Sequence, residues 1–125
     1  MTYKILLADD EPDIVRTVRK RLEISGFEVA TAQNGLEALE KLKEFKPDLV
    51  VLDVMMPELN GHQVCRTIRE APDTCDLPVI MLTAKAQESD KFWGGEVGAS
   101  LYITKPFDDK VLISKIKELL ENPLK

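Results

Sequence analysis

The chain has 125 residues, a length that suits one domain of ordinary size. Its composition, 44% hydrophobic and 31% charged, is typical of a folded globular protein. Acidic residues outnumber basic residues by 22 to 17, and the resulting net charge of −5 disfavours direct binding to the phosphates of nucleic acid. We therefore expect a single domain over residues 1–125 that does not bind nucleic acid directly.

The sequence also argues against membrane insertion and secretion. Its longest apolar runs, such as 49–52 and 79–82, are about four residues long, whereas a spanning helix needs about 20. The first residues lack the pattern of a signal peptide. Cys65 and Cys75 lie ten residues apart with no CxxC motif, so neither a zinc site nor a disulfide framework is indicated. We predict a cytoplasmic protein that does not contact a membrane.

Taken in chain order, the first elements are a strand and a helix. The apolar run at residues 5–8 predicts the strand. Apolar residues then recur at the spacing of one helical face, at Ile14, Val18 and Leu22. The helix should begin near Pro12 and end before Gly26, which matches the usual positions of these two residue types.

The same alternation continues along the chain. Further strands are predicted at 27–32, 49–52, 79–82 and 101–103. The second helix has its apolar side at Leu36, Leu39 and Leu42, the third at Val64 and Ile68, and the fifth at Ile113, Ile116 and Leu120. A short fourth helix is predicted between Ala86 and Gly98, where two adjacent glycines weaken helix propensity.

Strands that alternate with helices predict an α/β fold, a doubly wound parallel sheet with helices on both faces. Three of the strands have almost no polar residues, as expected for strands covered on both sides. The second strand, at 27–32, partly alternates polar and apolar residues, which favours the edge of the sheet. Ligands of such sheets bind beyond the carboxyl ends of the strands.

Polar residues follow four of the predicted strands at these carboxyl ends: Asp9 and Asp10, Asp53, Thr83, and Lys105. Because parallel strands end at one edge of the sheet, we expect these five side chains to converge. Two ionised carboxylates about 4.5 Å apart repel each other by about 4 kcal/mol at an effective dielectric constant of about 20, so three together call for a cation. An all-oxygen set of ligands favours Mg²⁺, or Mn²⁺, over zinc.

Carboxylates beside a divalent cation are suited to phosphoryl chemistry, because a carboxylate can accept a phosphoryl group as an acyl phosphate. Asp53 is the natural acceptor, since the adjacent pair Asp9 and Asp10 is placed to hold the metal ion. The Lys105 ammonium and the Thr83 hydroxyl would then neutralise charge on the transferring oxygens.

Four segments together resemble the receiver domain of two-component response regulators, including the chemotaxis-type single-domain regulators. They are Asp9 to Glu11, Asp53 to Gly61, Thr83 to Ala84, and Tyr102 to Phe107, and the likeness extends over essentially the whole chain. The resemblance implies a five-stranded sheet in the order 2-1-3-4-5, a flavodoxin-like (βα)5 sandwich. It also implies a phosphoacceptor switch rather than an enzyme, with no output domain in this chain.

The resemblance further implies a role for each site residue. Asp53 would be the phosphoacceptor, and Asp10, Asp53 and the Met55 backbone carbonyl would bind Mg²⁺ directly, with Asp9 acting mainly through water. Lys105 would pair first with Asp53 and then with the phosphoryl group. Thr83 and Tyr102 would change position in response, and Pro106 would follow a cis peptide bond.

Partners follow from the same resemblance. The phosphoryl donor would be a sensor histidine kinase or a histidine phosphotransfer protein, docked near Ile14, Val15 and Pro106. A downstream protein would bind the face formed by the fourth helix, the fifth strand and the fifth helix.

Because the apolar side chain of Met55 offers no hydrogen bond to an attacking water molecule, we predict slow self-dephosphorylation.

Two other functions use a similar architecture. Phosphatases with an aspartyl nucleophile place a second aspartate two residues after the first as a general acid, but this chain has Met55 there. A flavodoxin-like binder of a flavin or nucleotide would need a phosphate-cradling loop, and no GxxxxGK[ST] motif is present. The lone histidine, His62, is predicted to be a surface residue with no ligand role.

Overall fold

Five parallel strands form one sheet in the computed structural model, which describes residues 2–84 and 98–121. The strands are β1 (Lys4–Ala8), β2 (Glu28–Ala32), β3 (Leu49–Asp53), β4 (Val79–Thr83) and β5 (Leu101–Thr104). Their order is β2-β1-β3-β4-β5, and each neighbouring pair runs parallel. The predicted fold class, the strand order and the edge position of the second strand are confirmed.

The described helices are α1 (Pro12–Ile24), α2 (Gly35–Phe45), α3 (Gly61–Glu70) and α4 (Asp109–Glu121). α4 corresponds to the fifth helix of the sequence prediction. The predicted fourth helix, between Ala86 and Gly98, falls outside the described residues. Within residues 2–84 and 98–121, no helix combines the length and the hydrophobicity that crossing a bilayer requires.

Asparagine side chains define the starts of α2 and α3. The Asn34 side chain accepts a hydrogen bond of 2.8 Å from the backbone amide of Glu37. Asn60 and Gln63 each accept a 2.9 Å bond from the other's backbone amide, which completes a capping box. Each cap stabilises its helix by about 1 kcal/mol. The cap at Asn60 also fixes where the loop that leaves β3 ends.

Apolar side chains cover both faces of the sheet, because successive residues of a strand point to opposite sides. All five residues of β3 are buried, and so are all five of β4. One cluster joins strand residues to α2 and α3, and includes Leu6, Val50, Leu52, Met81, Ala38, Val64 and Ile68. The other joins them to α1 and α4, and includes Ile5, Leu7, Val51, Ile80, Val18, Leu22 and Ile116.

Two of the predicted helix faces need correction. Leu36, predicted on the buried side of the second helix, is 50% exposed, and Gly35, Ala38 and Leu42 are buried instead. A Cβ at Gly35 would lie 2.1 Å from the carbonyl oxygen of Leu59, so the helix packs through this glycine and the next residue points outward.

In α4 the buried residues are Leu112, Ile116 and Leu119. The predicted residues Ile113 and Leu120 are partly buried and pack against the edge of the same cluster.

Candidate functional site

Polar residues lie where four strands end at one edge of the sheet. Asp53 and Thr83 are the last residues of β3 and β4, while Asp9 and Lys105 directly follow β1 and β5. The Lys105 amide donates a 2.7 Å hydrogen bond to the Thr83 carbonyl oxygen, which continues the pairing of β4 and β5 past the last strand residue. Asp9, Asp53 and Thr83 are all buried.

Lys105 is the centre of an ion-pair network. Its Nζ lies 3.2 Å from Asp9 Oδ2, 3.3 Å from Asp53 Oδ1 and 3.0 Å from Glu11 Oε1. The structure thus brings together the two buried aspartates and the lysine that the sequence predicted to converge. The peptide bond between Lys105 and Pro106 is cis, as predicted.

Four carboxylates surround one point at this edge. Asp9, Asp10, Glu11 and Asp53 each offer an oxygen atom, and these atoms all lie within 4.8 Å of one another. Asp9 and Asp53 are buried, whereas Asp10 and Glu11 are exposed. The cluster is therefore closed on the side of the core and open on the side of the solvent.

The start of α1 explains why Glu11 joins this cluster. Glu11 occupies the N-cap position, but its side chain makes no capping hydrogen bond. Its backbone amide donates a 2.9 Å bond to Asp9 Oδ1. The Glu11 carboxylate is thus available to Lys105, a contact that the sequence analysis did not predict. The only signal for it in the sequence was the position of Glu11 directly after Asp9 and Asp10.

The pKa of Asp53 is raised to about 7, first because the side chain is buried and second because the negative charge of Asp9 lies nearby. The charge of Lys105 and its hydrogen bond to Asp53 oppose this rise without cancelling it. For Lys105, burial lowers the pKa, but the hydrogen bond to Glu11 and the charges of Asp53 and Asp9 outweigh burial and raise it. The site therefore holds more negative charge than one ammonium group balances.

This donor set fits a magnesium ion. The cluster supplies only oxygen ligands, which Mg²⁺ and Mn²⁺ prefer, and its exposed side leaves room for water and a phosphate oxygen. A dication would also offset the charge that raises the pKa of Asp53. Met55 follows Asp53 closely enough for its amide to donate a 3.3 Å bond to Asp53 Oδ1, while its side chain is 74% exposed.

Gly61 holds the far end of the loop from Asp53 against β3. Its amide donates a 2.9 Å hydrogen bond to the Val54 carbonyl oxygen. A Cβ at this position would lie 2.4 Å from the carbonyl oxygen of Asp53, so a larger residue here would displace the backbone of the site. The loop between Asp53 and α3 is thus anchored at both ends.

Tyr102 lies outside the carboxylate cluster. Its ring centroid is 6.3 Å from that of His62, with the ring planes inclined at 42°. The prediction that His62 is a surface residue is wrong, since only 2% of it is exposed. The close approach of Gly61 to β3 draws the first turn of α3 against the sheet and buries the next residue. Burial, and then the charge of Arg66, lowers the pKa of His62.

The model of the response regulator receiver domain matches residues 5–117. The chain belongs to this family. It is 47% identical over 120 residues to the alkaline phosphatase synthesis transcriptional regulatory protein PhoP of Bacillus subtilis, an alignment that covers 96% of this chain and 49% of PhoP. The chain therefore spans about half the length of this relative.

Solved structures of receiver proteins have the same fold. The signal receiver domain of a signal transduction histidine kinase from Syntrophus aciditrophicus superposes with a TM-score of 0.90 at 36% identity, covering 99% of this chain and 96% of that one. The chemotaxis response regulator CheY4 of Vibrio cholerae gives 0.89 at 31% identity, covering 95% and 99%. Receiver domains are phosphoacceptor switches of two-component systems rather than classical enzymes, and this chain is such a domain.

Proposed function

We propose that this chain accepts a phosphoryl group on Asp53 in a Mg²⁺-dependent reaction and thereby changes its binding to a downstream protein. The observation that carries the proposal is the placing of Asp53: a buried carboxylate whose Oδ1 lies 3.3 Å from Lys105 Nζ, within a cluster of three further carboxylates. Membership of the receiver family gives the same chemistry.

The donor is a phosphohistidine of a sensor histidine kinase or of a histidine phosphotransfer protein. The bond between phosphorus and the imidazole nitrogen breaks, and a bond forms between phosphorus and a carboxylate oxygen of Asp53. Because the other ring nitrogen of the phosphohistidine carries a proton, the imidazole leaves as a neutral group, and the products are an aspartyl phosphate and a neutral histidine. Asp53 must be ionised to attack, and the Lys105 ammonium beside it favours the ionised form.

Asp10, Asp53 and the backbone carbonyl of Met55 would bind Mg²⁺ directly, and Asp9 would bind it mainly through water. Mn²⁺ could replace Mg²⁺, because it prefers the same oxygen ligands. When bound, the ion neutralises charge on the phosphoryl oxygens. Lys105 supplies a second positive charge, with its Nζ 3.3 Å from Asp53 Oδ1.

Thr83 and Tyr102 would carry the signal away from Asp53. Thr83 ends the strand beside β3, and Tyr102 lies on the next strand along the sheet. A change in either side chain would alter the surface formed by β5 and by α4, which is the fifth helix of the sequence prediction. The helix predicted between Ala86 and Gly98 would complete this surface. Here the downstream protein would bind. The kinase would dock on the other side of the site, at Ile14, Val15 and Pro106.

The relative PhoP is named a transcriptional regulator, and this chain corresponds to about half of its length. The acidic balance of the chain argues that DNA binding in such a protein belongs to a different domain. A single receiver domain over residues 1–125 and a cytoplasmic location stay predictions from the sequence.

Incubation with Mg²⁺ and acetyl phosphate, followed by intact mass measurement, tests the proposal. We expect one added phosphoryl group in the parent and none in Asp53→Asn or with a chelator present. Asp73→Asn, which removes an exposed carboxylate far from the site, is the matched control and should label like the parent. Labelling of Asp53→Asn equal to that of the parent would exclude Asp53 as the acceptor.

The lifetime of the aspartyl phosphate is a second property that the site determines. The exposed Met55 side chain stands two residues after Asp53 and cannot hydrogen-bond a water molecule. We expect Met55→Asn, whose amide can orient water, to lose its phosphoryl group faster than the parent after the donor is removed. Decay that is unchanged or slower in the variant would reject this role for Met55.

A further inference from the structure

The contact between His62 and Tyr102 joins α3 to β5. Their ring centroids are 6.3 Å apart, within the range of about 4.5–7 Å that aromatic pairs adopt. His62 Nε2 and the Tyr102 hydroxyl oxygen are both buried. Tyr102 therefore turns its polar end inward, against the side of the sheet that α3 covers.

His62 has a fixed position relative to Asp53. It directly follows Gly61, which is hydrogen-bonded to the residue after Asp53 and leaves no space for a Cβ beside the Asp53 carbonyl oxygen. The capping box of Asn60 and Gln63 encloses the same turn. A shift of the β3 end of the loop would therefore move His62 with it.

Tyr102 has a different environment. It lies on the edge strand β5, which has no fully buried residue, and it pairs in register with Met81 of β4. The Met81 side chain approaches Gly61, so the Tyr102 ring, Met81 and the first turn of α3 form one continuous layer. In this layer His62 is almost fully buried, whereas Tyr102 is only partly buried.

We propose that His62 is a positioning residue for Tyr102: its ring packs against the inward Tyr102 ring and so couples the α3 end of the Asp53 loop to the rotamer of Tyr102. The inference rests on the proposed function, in which Tyr102 responds to phosphorylation. It adds the residue through which the loop acts on Tyr102. His62 does not touch the reacting atoms.

Ring-labelled tyrosine in a Tyr3→Phe background tests this proposal, because Tyr102 is then the only tyrosine in the chain. The ¹³C resonances of its ring report the local packing directly. The variants are His62→Ala, which removes the ring, and His62→Phe, which keeps one. Thr67→Ala is the control, since Thr67 is an exposed residue on the same helix.

We expect His62→Ala to move the Tyr102 ring resonances toward those of a solvent-exposed tyrosine. In His62→Phe the Tyr102 ring resonances should stay close to those of the parent, and in Thr67→Ala they should equal those of the parent. Resonances unchanged in His62→Ala, or moved equally by Thr67→Ala, would overturn the proposal. If His62→Ala does not fold, His62→Gln decides the same question, because it is polar and of similar length but has no ring.

The same samples separate this inference from the proposed function. Acetyl phosphate with Mg²⁺ should phosphorylate the parent if Asp53 is an acceptor. Intact mass measures this phosphorylation independently of Tyr102. The coupling is supported if phosphorylation shifts the Tyr102 ring resonances in the parent and in His62→Phe, and shifts them less in His62→Ala. If phosphorylation shifts the Tyr102 resonances equally in all three proteins, the coupling is rejected but the proposed function is still supported. Failure to label rejects the proposed function, while the unmodified proteins still test the packing.

Discussion

β3 and β5 deliver functional residues to the same edge of the sheet, but they are built differently. β3 lies at the centre of the sheet, between β1 and β4, and all five of its residues are buried. β5 lies at the edge and has one neighbour, and its residues are partly buried or exposed. Asp53 thus comes from a central strand that is buried throughout, while Tyr102 lies on an edge strand with no fully buried residue and Lys105 directly follows that strand.

This difference separates the chemistry from the response. A phosphoacceptor needs a fixed geometry relative to its cation and its lysine, which a buried central strand provides. A residue that reports phosphorylation must have a second position of similar free energy, and the partly buried residues of β5 are less enclosed by packing than those of β3. The ion pairs of Lys105 link the two strands, so they are the first place to test the distinction.

Replacing Lys105 should have the largest effect. Lys105→Met keeps the length of the side chain but removes the charge that lies 3.3 Å from Asp53. We expect the rate of labelling by acetyl phosphate to fall by about 100-fold or more, as for loss of a preorganised group that stabilises transition-state charge. Lys43→Met, on the exposed side of α2, should label at the parent rate. If Lys105→Met is phosphorylated at the parent rate, the residue that follows β5 takes no part in the reaction.

Two glycine variants test the fixed position of Asp53. Gly61→Ala places a methyl group where only 2.4 Å separates it from the Asp53 carbonyl oxygen, and we expect a loss of about 1–3 kcal/mol in the free energy of unfolding. Gly26→Ala meets no atom but has a φ of 97°, which costs about 1–2 kcal/mol.

Urea unfolding measures both losses, and only Gly61→Ala should also slow labelling. If both variants labelled at the parent rate, a fixed loop would not be needed for the reaction.

The buried histidine between the two regions should make stability depend on pH. Burial and Arg66 lower the pKa of His62 below 6.5, so the unfolded chain binds this proton more readily than the folded protein. The stabilisation is therefore complete above pH 6.5 and is lost as the pH falls toward the folded pKa.

Urea unfolding at about pH 7.5 and about pH 5.5 measures this loss. The parent should lose more free energy of unfolding than His62→Gln, with a difference of at most about 1.4 kcal/mol per pH unit. Parallel losses in the two proteins would show that His62 does not titrate between folded and unfolded states.

Removing the charge of Glu11 should have the smallest effect. The Glu11 side chain is 57% exposed, and ion pairs of this kind contribute less than about 1 kcal/mol. In Glu11→Gln, Lys105 forms ion pairs with Asp9 and Asp53 only, so we expect the rate of phosphorylation by acetyl phosphate to rise by at most about fivefold. A fall comparable to that of Lys105→Met would instead place Glu11 in the reaction itself.

The carboxylate edge could be predicted from the sequence because topology alone determines it. Once the apolar runs are identified as parallel strands, their carboxyl ends must share one edge, whatever the details of packing. Asp9, Asp53 and Lys105 therefore converge although 96 positions separate the first from the last. The fold class was predicted from the alternation of strands with helices, and the edge position of β2 from the partly alternating polar and apolar residues at 27–32.

Close backbone contacts could not be predicted in this way. Leu36 is exposed because Gly35 approaches Leu59, and His62 is buried because Gly61 approaches Asp53. Both contacts join segments that are distant along the chain or folded back by a loop, and helical periodicity carries no information about them. Glu11 was missed because it is not a strand-end residue: it occupies the N-cap of α1, and topology does not indicate that its side chain contacts Lys105 instead of capping the helix.

The site of modification tests the central claim most directly. The parent is treated with acetyl phosphate and Mg²⁺, the acyl phosphate is reduced with borohydride, which converts the modified aspartate to homoserine, and the digested protein is sequenced by mass spectrometry. The proposal predicts conversion at residue 53 alone. Conversion at Asp9 or Asp10, with residue 53 unchanged, would contradict it.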